Sequence, residues 1–188
     1  MNEQRPDILI RPVRRGDASL IAHARSYMSA ETLYRRYHAP KPRISSRELR
    51  YLTDVDGRDH VALIAVDRSC DGRMAGITRA IRRQDDPQVA DLAVMVCDPY
   101  QGRGLGRLLL EQLLCELQLQ DVDVLHADVQ PDNRTALRLL SGLRPDTVSR
   151  FRGGVTELRI PVRQSSSRGS AGQSAGYGRN GNPLSVRT

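Results

Sequence analysis

The stretch DPYQGRGLGR, residues 98 to 107, sets glycines at 102, 104 and 106 and runs straight into a leucine-rich segment. Glycines let a backbone approach a ligand closely. A helix that starts here adds unpaired N–H groups and a positive dipole of about half a charge, which together favour a phosphate. Gln101, Gly102, Arg103, Gly104, Leu105, Gly106 and Arg107 are therefore the first candidates for binding. Arg103 and Arg107 would add charge, although arginines are common throughout the chain. A dinucleotide site needs GxGxxG directly after a strand; here the spacing is GxGxG, and Asp98 to Gln101 intervene. A P-loop needs GxxxxGK[ST], and no lysine follows. On this loop alone, glycines that only ease a turn into a helix remain an open reading.

Other reactive residues form no pattern. Cys70, Cys97 and Cys115 have no CxxC or Cys/His spacing, so neither a disulfide framework nor a metal site is expected. Cys97 and Cys115 lie in apolar segments and read as core residues. His38, His60 and His126 are scattered and read as structural.

The loop must be held by the elements around it. VMVCDP and ADVQP are two strands ending at Pro99 and Pro131, each followed by a helix. Proline cannot donate to a ladder, so pairing is expected to fail there and leave a slot at the strands' carboxyl ends. Alternation marks further strands at 8–13, 60–67, 74–83, 89–96 and 124–129, with a final hairpin turning at Gly153-Gly154. Residues 89–96 are apolar enough to be central. Asp-Gly at 71–72 centres a turn.

Helices are expected from Asp17 to about Met28, from Ser29 onward, and over 45–55, where Ser45 and Glu48 are spaced as a capping box. Two more cover 105–119, with Leu105, Leu109, Leu113 and Leu117 on one face, and 132–142. The order β, helices, β, β, β, α, β, α, β, β is mixed α/β around one sheet.

Residues 1–162 read as one folded unit. Residues 163–188, rich in Ser, Gly and Arg, read as a disordered tail. No apolar run approaches the ~20 residues of a membrane span. The N-terminus has no signal architecture, so a cytoplasmic protein is expected. The net charge of +7 raises a nucleic-acid reading. Twenty-eight of the 29 basic residues are arginine, which points to global bias, and the four in the tail carry over half of the excess. Nucleic-acid binding is disfavoured.

Gln101-x-x-Gly104-x-Gly106 resembles the acetyl-CoA signature of the GNAT superfamily of N-acetyltransferases. ADLAVMV before it and ADVQPDNRTALRLL after the next strand fall in the same order. IRPVRRGD, SAETLYRRY and ISSRELRYLTDVDGRDHVALIAV resemble the GNAT domain of bacterial protein lysine acetyltransferases, here expected as a free-standing unit. The resemblance implies a mixed, mostly antiparallel sheet with splayed central strands flanked by helices. It implies acetyl-CoA as co-substrate, no metal, and an acceptor amine that is a protein lysine or a small molecule. A monomer and a homodimer both stay open.

By the same resemblance, Val94, Met95 and Val96 pair with the pantetheine arm and residues 102–107 cradle the pyrophosphate. Asn133 contacts CoA, although Asn133 or Asp132 would also serve as a helix cap. A free N–H near Met95 or Val96 would polarise the thioester carbonyl. Ser29, Tyr34, Arg35 and Tyr37 flank the acceptor groove, and Leu140 stands where many relatives carry a proton-donating tyrosine.

Acetyl transfer needs a neutral amine, and at pH 7.4 only about one lysine in a thousand is neutral, a penalty of ~4 kcal/mol. A base is needed, and the position matching the family glutamate is Asp91. A simple ion pair between Asp91 and a neighbouring arginine is the competing role. An idle acyl-CoA-binding module is the competing function.

Overall fold

The computed structural model describes residues 6–37 and 44–163, with the side chains of Arg36 and Tyr37 outside the described set. The expected tail beyond Arg163, the Tyr37 side chain expected as an acceptor contact, and His38 fall outside what is described.

The strands are β1 (Ile8–Pro12), β2 (His60–Asp67), β3 (Arg73–Arg82), β4 (Val89–Val96), β5 (Val124–Val129), β6 (Val148–Arg152) and β7 (Val155–Pro161). The helices are α1 (Ala18–Ala24), α2 (Ala30–Tyr37), α3 (Ser46–Thr53), α4 (Leu105–Gln118) and α5 (Arg134–Ser141). One seven-stranded sheet has the order β1-β2-β3-β4-β5-β7-β6, with β4 at its centre. Every pairing is antiparallel except β4 with β5. The architecture is the mixed α/β arrangement expected.

Local chemistry explains the elements. Ser45 and Glu48 form the capping box at α3. Gly153 and Gly154 have φ of 58° and 85°, so the tight β6–β7 turn uses residues that tolerate the left-handed region. Along α4, Leu105, Leu109, Leu110, Leu113, Leu114 and Leu117 form one buried stripe. That stripe turns Cys115 outward, so the expectation of a buried Cys115 is corrected: it is exposed, while Cys97 is buried.

Asp17 also departs from expectation. It does not cap the helix that follows; Arg11 donates two hydrogen bonds of 2.7 Å to its carboxylate and Arg14 N–H a third of 2.8 Å. The segment is α1 flanked by short 3-10 turns rather than one helix to Met28.

Helix α4 packs on β2, β3 and β4. Its approach to β3 is close: a Cβ on Gly76 would lie 2.9 Å from the Met95 carbonyl and 3.0 Å from Leu109. Helices α1 and α3 cover the other face near β2 and β3. The β6–β7 end of that second face carries Arg150 and Arg159 exposed.

Candidate functional site

Strands β4 and β5 pair at three positions only: Val89 with Val124, Ala90 with Leu125, and Asp91 with His126. Beyond that rung β4 runs on to Val96 and β5 to Val129 without pairing to each other. The slot therefore opens inside the strands, well before Pro99 and Pro131, and the prolines are not where pairing stops.

On its other edge β4 stays paired with β3 through Val96. The bonds at the two ends of this ladder, Cys97 N–H to the Ala75 carbonyl and Arg83 N–H to the Val89 carbonyl, involve odd-numbered β4-side residues. Antiparallel alternation then turns the backbone of Asp91, Ala93 and Met95 toward β3, and that of Leu92, Val94 and Val96 toward the slot. Of the three residues expected to line the slot by backbone, Val94 and Val96 face it. Met95 does not: its backbone faces β3 and its side chain is buried in the core.

Past the slot the chain makes a 3-10 turn over Asp98–Tyr100 and reaches α4 through Gly102 and Gly104, with φ of 71° and 80°. Gly104 is the N-cap and has no side chain with which to cap this helix. The first-turn N–H groups of Leu105, Gly106 and Arg107 have no partner within the helix itself. A Cβ on Gly102 or Gly104 would meet nothing within 4 Å, so the loop borders open space. Backbone donors, an uncapped 14-residue helix and adjoining free strand edges fit a ligand with a phosphate end and an amide-bearing arm. Acetyl-CoA has both.

The other loop residues divide differently. A Cβ on Gly106 would lie 3.1 Å from Leu139 and 3.5 Å from Val96, so this glycine serves packing of α4 against α5 and β4. Leu105 is buried and anchors the helix start, while Arg103 is exposed. Arg107 pairs with Glu111 one turn along at 2.8 Å. Gln101 is engaged by the protein at the end of the slot edge, its Nε2 lying within 3.0–3.1 Å of the Val96 carbonyl, Asp98 and Thr32.

Asp98 is the centre of that clasp. It accepts from Ser29 N–H at 2.6 Å and from the Thr32 hydroxyl, tying the start of α2 to the end of β4. Partial burial opposes its charge, but the Thr32 hydroxyl and Ser29 N–H outweigh burial and hold the carboxyl below its usual range. Ser29, expected beside the acceptor, accepts from Thr32 N–H through its own hydroxyl and works as a cap and fastening. Arg35 pairs with Glu31 on the same helix, and Tyr34 is exposed. Asn133 caps α5, its Oδ1 accepting from Ala136 N–H at 3.2 Å, which leaves Nδ2 as the group to offer a ligand. Leu140 is buried and supplies no proton donor. Burial pushes the Cys97 thiol up to about 12, so it is no nucleophile.

At the apex of the slot, Asp91 extends to the face opposite α4. Arg83 Nε and Nη2 both donate to its Oδ1, at 2.9 and 2.7 Å. The expected alternative of an arginine ion pair is thus what the geometry contains. The same rung holds His126, 2.7 Å from Arg83 Nη2 and 3.3 Å from Asp91 through Nδ1, and 3.6 Å from Asp128 through Nε2. Sequence reading took His126 as isolated, because the register of two parallel strands 35 residues apart is not visible along the chain.

The model of the acetyltransferase (GNAT) family matches residues 26–143. Acetyltransferase Pat of Mycolicibacterium smegmatis is 30% identical over 153 residues, which cover 81% of this chain and 45% of that protein. The chain thus spans under half of that relative's length. The GNAT domain of S. lividans PAT superposes with a TM-score of 0.74 at 25% identity, covering 81% of this chain and 89% of that one. YncA from Salmonella typhimurium, solved with acetyl-CoA, has a TM-score of 0.68 over 87% of this chain and 99% of its own; at 16% identity it shows the fold alone. With its splayed sheet, uncapped helix and a family match that spans both, the chain belongs to the acetyltransferase (GNAT) family.

Proposed function

We propose that this chain transfers an acetyl group from acetyl-CoA to a primary amine, with a protein lysine favoured over a small amine. Transfer is direct, within a ternary complex, and the amine's proton leaves toward the carboxylate–imidazole rung at Asp91. The observation that carries this reading is the early end of β4–β5 pairing at Asp91 and His126, which aligns a slot with the uncapped start of α4. Acetyl-CoA supplies an activated thioester carbonyl, and the chain supplies the rest. The N–H groups of α4's first turn and of Gly102 and Gly104 hold the pyrophosphate. The Val94 and Val96 backbone orients the arm, and an N–H on this edge polarises the carbonyl as charge develops on oxygen. Asp91, Asp128 and Glu157 lie on the same face of adjacent strands and would draw a cationic amine toward the apex.

The likeness to Pat and to the S. lividans PAT domain supports the preference for lysine. This reading requires the cytoplasm, where free thiols such as Cys97 and Cys115 stay reduced. The Arg83–Asp91 pair favours a second reading, an acyl-CoA-binding module without turnover. Thiol release from acetyl-CoA against a panel of peptides and polyamines separates the two. Turnover on at least one amine, with Asp91→Asn binding acetyl-CoA normally but lowering kcat at least tenfold, supports the enzyme. Calorimetric binding without turnover on any amine favours the module.

A further inference from the structure

We infer that His126, rather than Asp91, takes the proton of the acceptor amine, with Arg83 setting the tautomer and Asp91 and Asp128 flanking the ring. The inference rests on the acetyltransferase reading and assigns one step within it.

Four observations carry it. First, His126 is the β5 member of the last paired rung, so it stands at the apex where the slot begins. Second, its side chain is 13% exposed against 54% for Asp91, so the imidazole is mostly shielded from bulk water whereas the carboxylate is open to it. Third, Arg83 Nη2 has hydrogen only to give, so its 2.7 Å contact makes Nδ1 an acceptor and puts the ring's own hydrogen on Nε2. The 3.3 Å approach of Nδ1 to Asp91 Oδ1 is then a contact between two acceptors, which becomes a hydrogen bond only when Nδ1 gains a proton. Fourth, the Nε2 side faces Asp128, whose carboxylate at 3.6 Å lies beyond hydrogen-bond distance but favours a hydrogen on Nε2 by charge.

Charged groups of both signs pack around the ring: the cations Arg83 and Arg159 oppose an imidazolium and the carboxylates Asp91, Asp128 and Glu157 offset them. Arg83 follows β3, Asp91 belongs to β4 and Asp128 to β5, while Arg159 opposite His126 and Glu157 opposite Asp128 come from β7. Two carboxylates lie close to the ring nitrogens, and Arg83 can hold Asp91 while its bond to Nδ1 is released. Imidazole is also the side chain suited to exchange protons near neutral pH, whereas a reference carboxylate is about 2.6 pKa units less basic. The mismatch with a lysine amine is thereby smaller than for an aspartate, by the same ~2.6 pKa units.

The step balances as follows. The amine nitrogen forms a bond to the acetyl carbonyl carbon, and the carbon–sulfur bond breaks with its electron pair leaving on sulfur as thiolate. The amine's proton passes to His126 Nδ1. The imidazolium then releases the Nδ1 proton to water, which restores the Nε2–H tautomer and its bond from Arg83, and the thiolate takes one from water.

The test is steady-state kinetics with acetyl-CoA and an amine acceptor from about pH 5.5 to 9, a range that brackets imidazole titration. His126→Gln keeps hydrogen-bonding capacity but cannot take a proton. It is expected to lower kcat at least tenfold, leave acetyl-CoA affinity unchanged and abolish the acidic limb of kcat/KM. In His126→Ala, added imidazole should restore turnover, which a purely structural role would not allow. Turnover within twofold of wild type in His126→Gln with the acidic limb intact overturns the inference, as does loss of that limb in Asp91→Asn alone. Failure of the wild type to turn over any amine sinks the acetyltransferase reading itself, and this role with it. If the variants do not fold, ¹⁵N signals of the wild-type imidazole decide: the Nε2–H tautomer is expected, and the Nδ1–H tautomer overturns the assignment.

Discussion

The two corners where a strand hands over to a helix on the slot side, β4 to α4 and β5 to α5, are alike in sequence and opposite in chemistry. Both carry a proline just after the strand and a helix a few residues on. At α5 the chain closes its own helix end with Asn133. At α4 the N-cap is Gly104, which has no capping side chain, so the N-cap residue leaves the orphan donors of a longer helix unmet. A side-chain cap contributes about 1 kcal/mol to a helix. Its omission at one corner and retention at the other is what the proposed binding of a phosphate at α4 would use.

The largest expected effect comes from closing the open corner. Gly104→Asp places a carboxylate where a pyrophosphate would sit, at a position whose φ of 80° aspartate tolerates better than most residues. Acetyl-CoA affinity by calorimetry should fall about a hundredfold, or ~2.7 kcal/mol, while the protein stays folded. Affinity within threefold of wild type would mean that the phosphates lie elsewhere.

Opening the closed corner should give a smaller effect of another kind. Asn133→Ala removes the α5 cap and should lower thermal stability by ~1 kcal/mol, with acetyl-CoA affinity changing less than tenfold. Asn133→Asp keeps an oxygen for Ala136 N–H but loses Nδ2. If it retains stability and loses affinity, Nδ2 reaches the ligand; if it retains both, Asn133 is a cap alone.

The contrast between the corners was half legible in the sequence. QGRGLG and PDN announced a glycine corner and a capped one, and the strand segments 60–67, 89–96 and 124–129 coincide with β2, β4 and β5. Local chemistry of that sort survives reading one residue at a time. What sequence could not carry was register: where β4 and β5 part, which β4 backbone edge faces the slot, and that Arg83, Asp91, His126 and Asp128 converge. Each depends on pairing between distant segments, which a one-residue slip would overturn. Ser29 and Gln101 show the same limit. Their types suit a ligand, yet the arrival of Asp98 draws both into holding the backbone.

That clasp is a further difference between the corners, since the β4 corner is fastened from α2 by side chains whereas the β5 corner caps itself. Its contribution should vary with pH in a definite direction. The folded-state pKa of Asp98 is lowered, so its stabilisation is fully present above the unfolded value, near 3.8, and is lost as pH falls through the lower folded value. Asp98→Asn should therefore be less stable than wild type at neutral pH, by no more than about 1 kcal/mol for a partly solvated group. The gap should narrow below about pH 4 as the wild-type carboxyl protonates. Urea unfolding of both proteins across that range measures it. A gap that persists unchanged to low pH would show that Asp98 holds α2 by shape and neutral hydrogen bonds rather than by charge. Loosening this fastening should also let α2 move relative to the end of β4. Acetyl-CoA affinity should then change less than in Gly104→Asp, because the backbone donors of α4 remain in place when the clasp is gone.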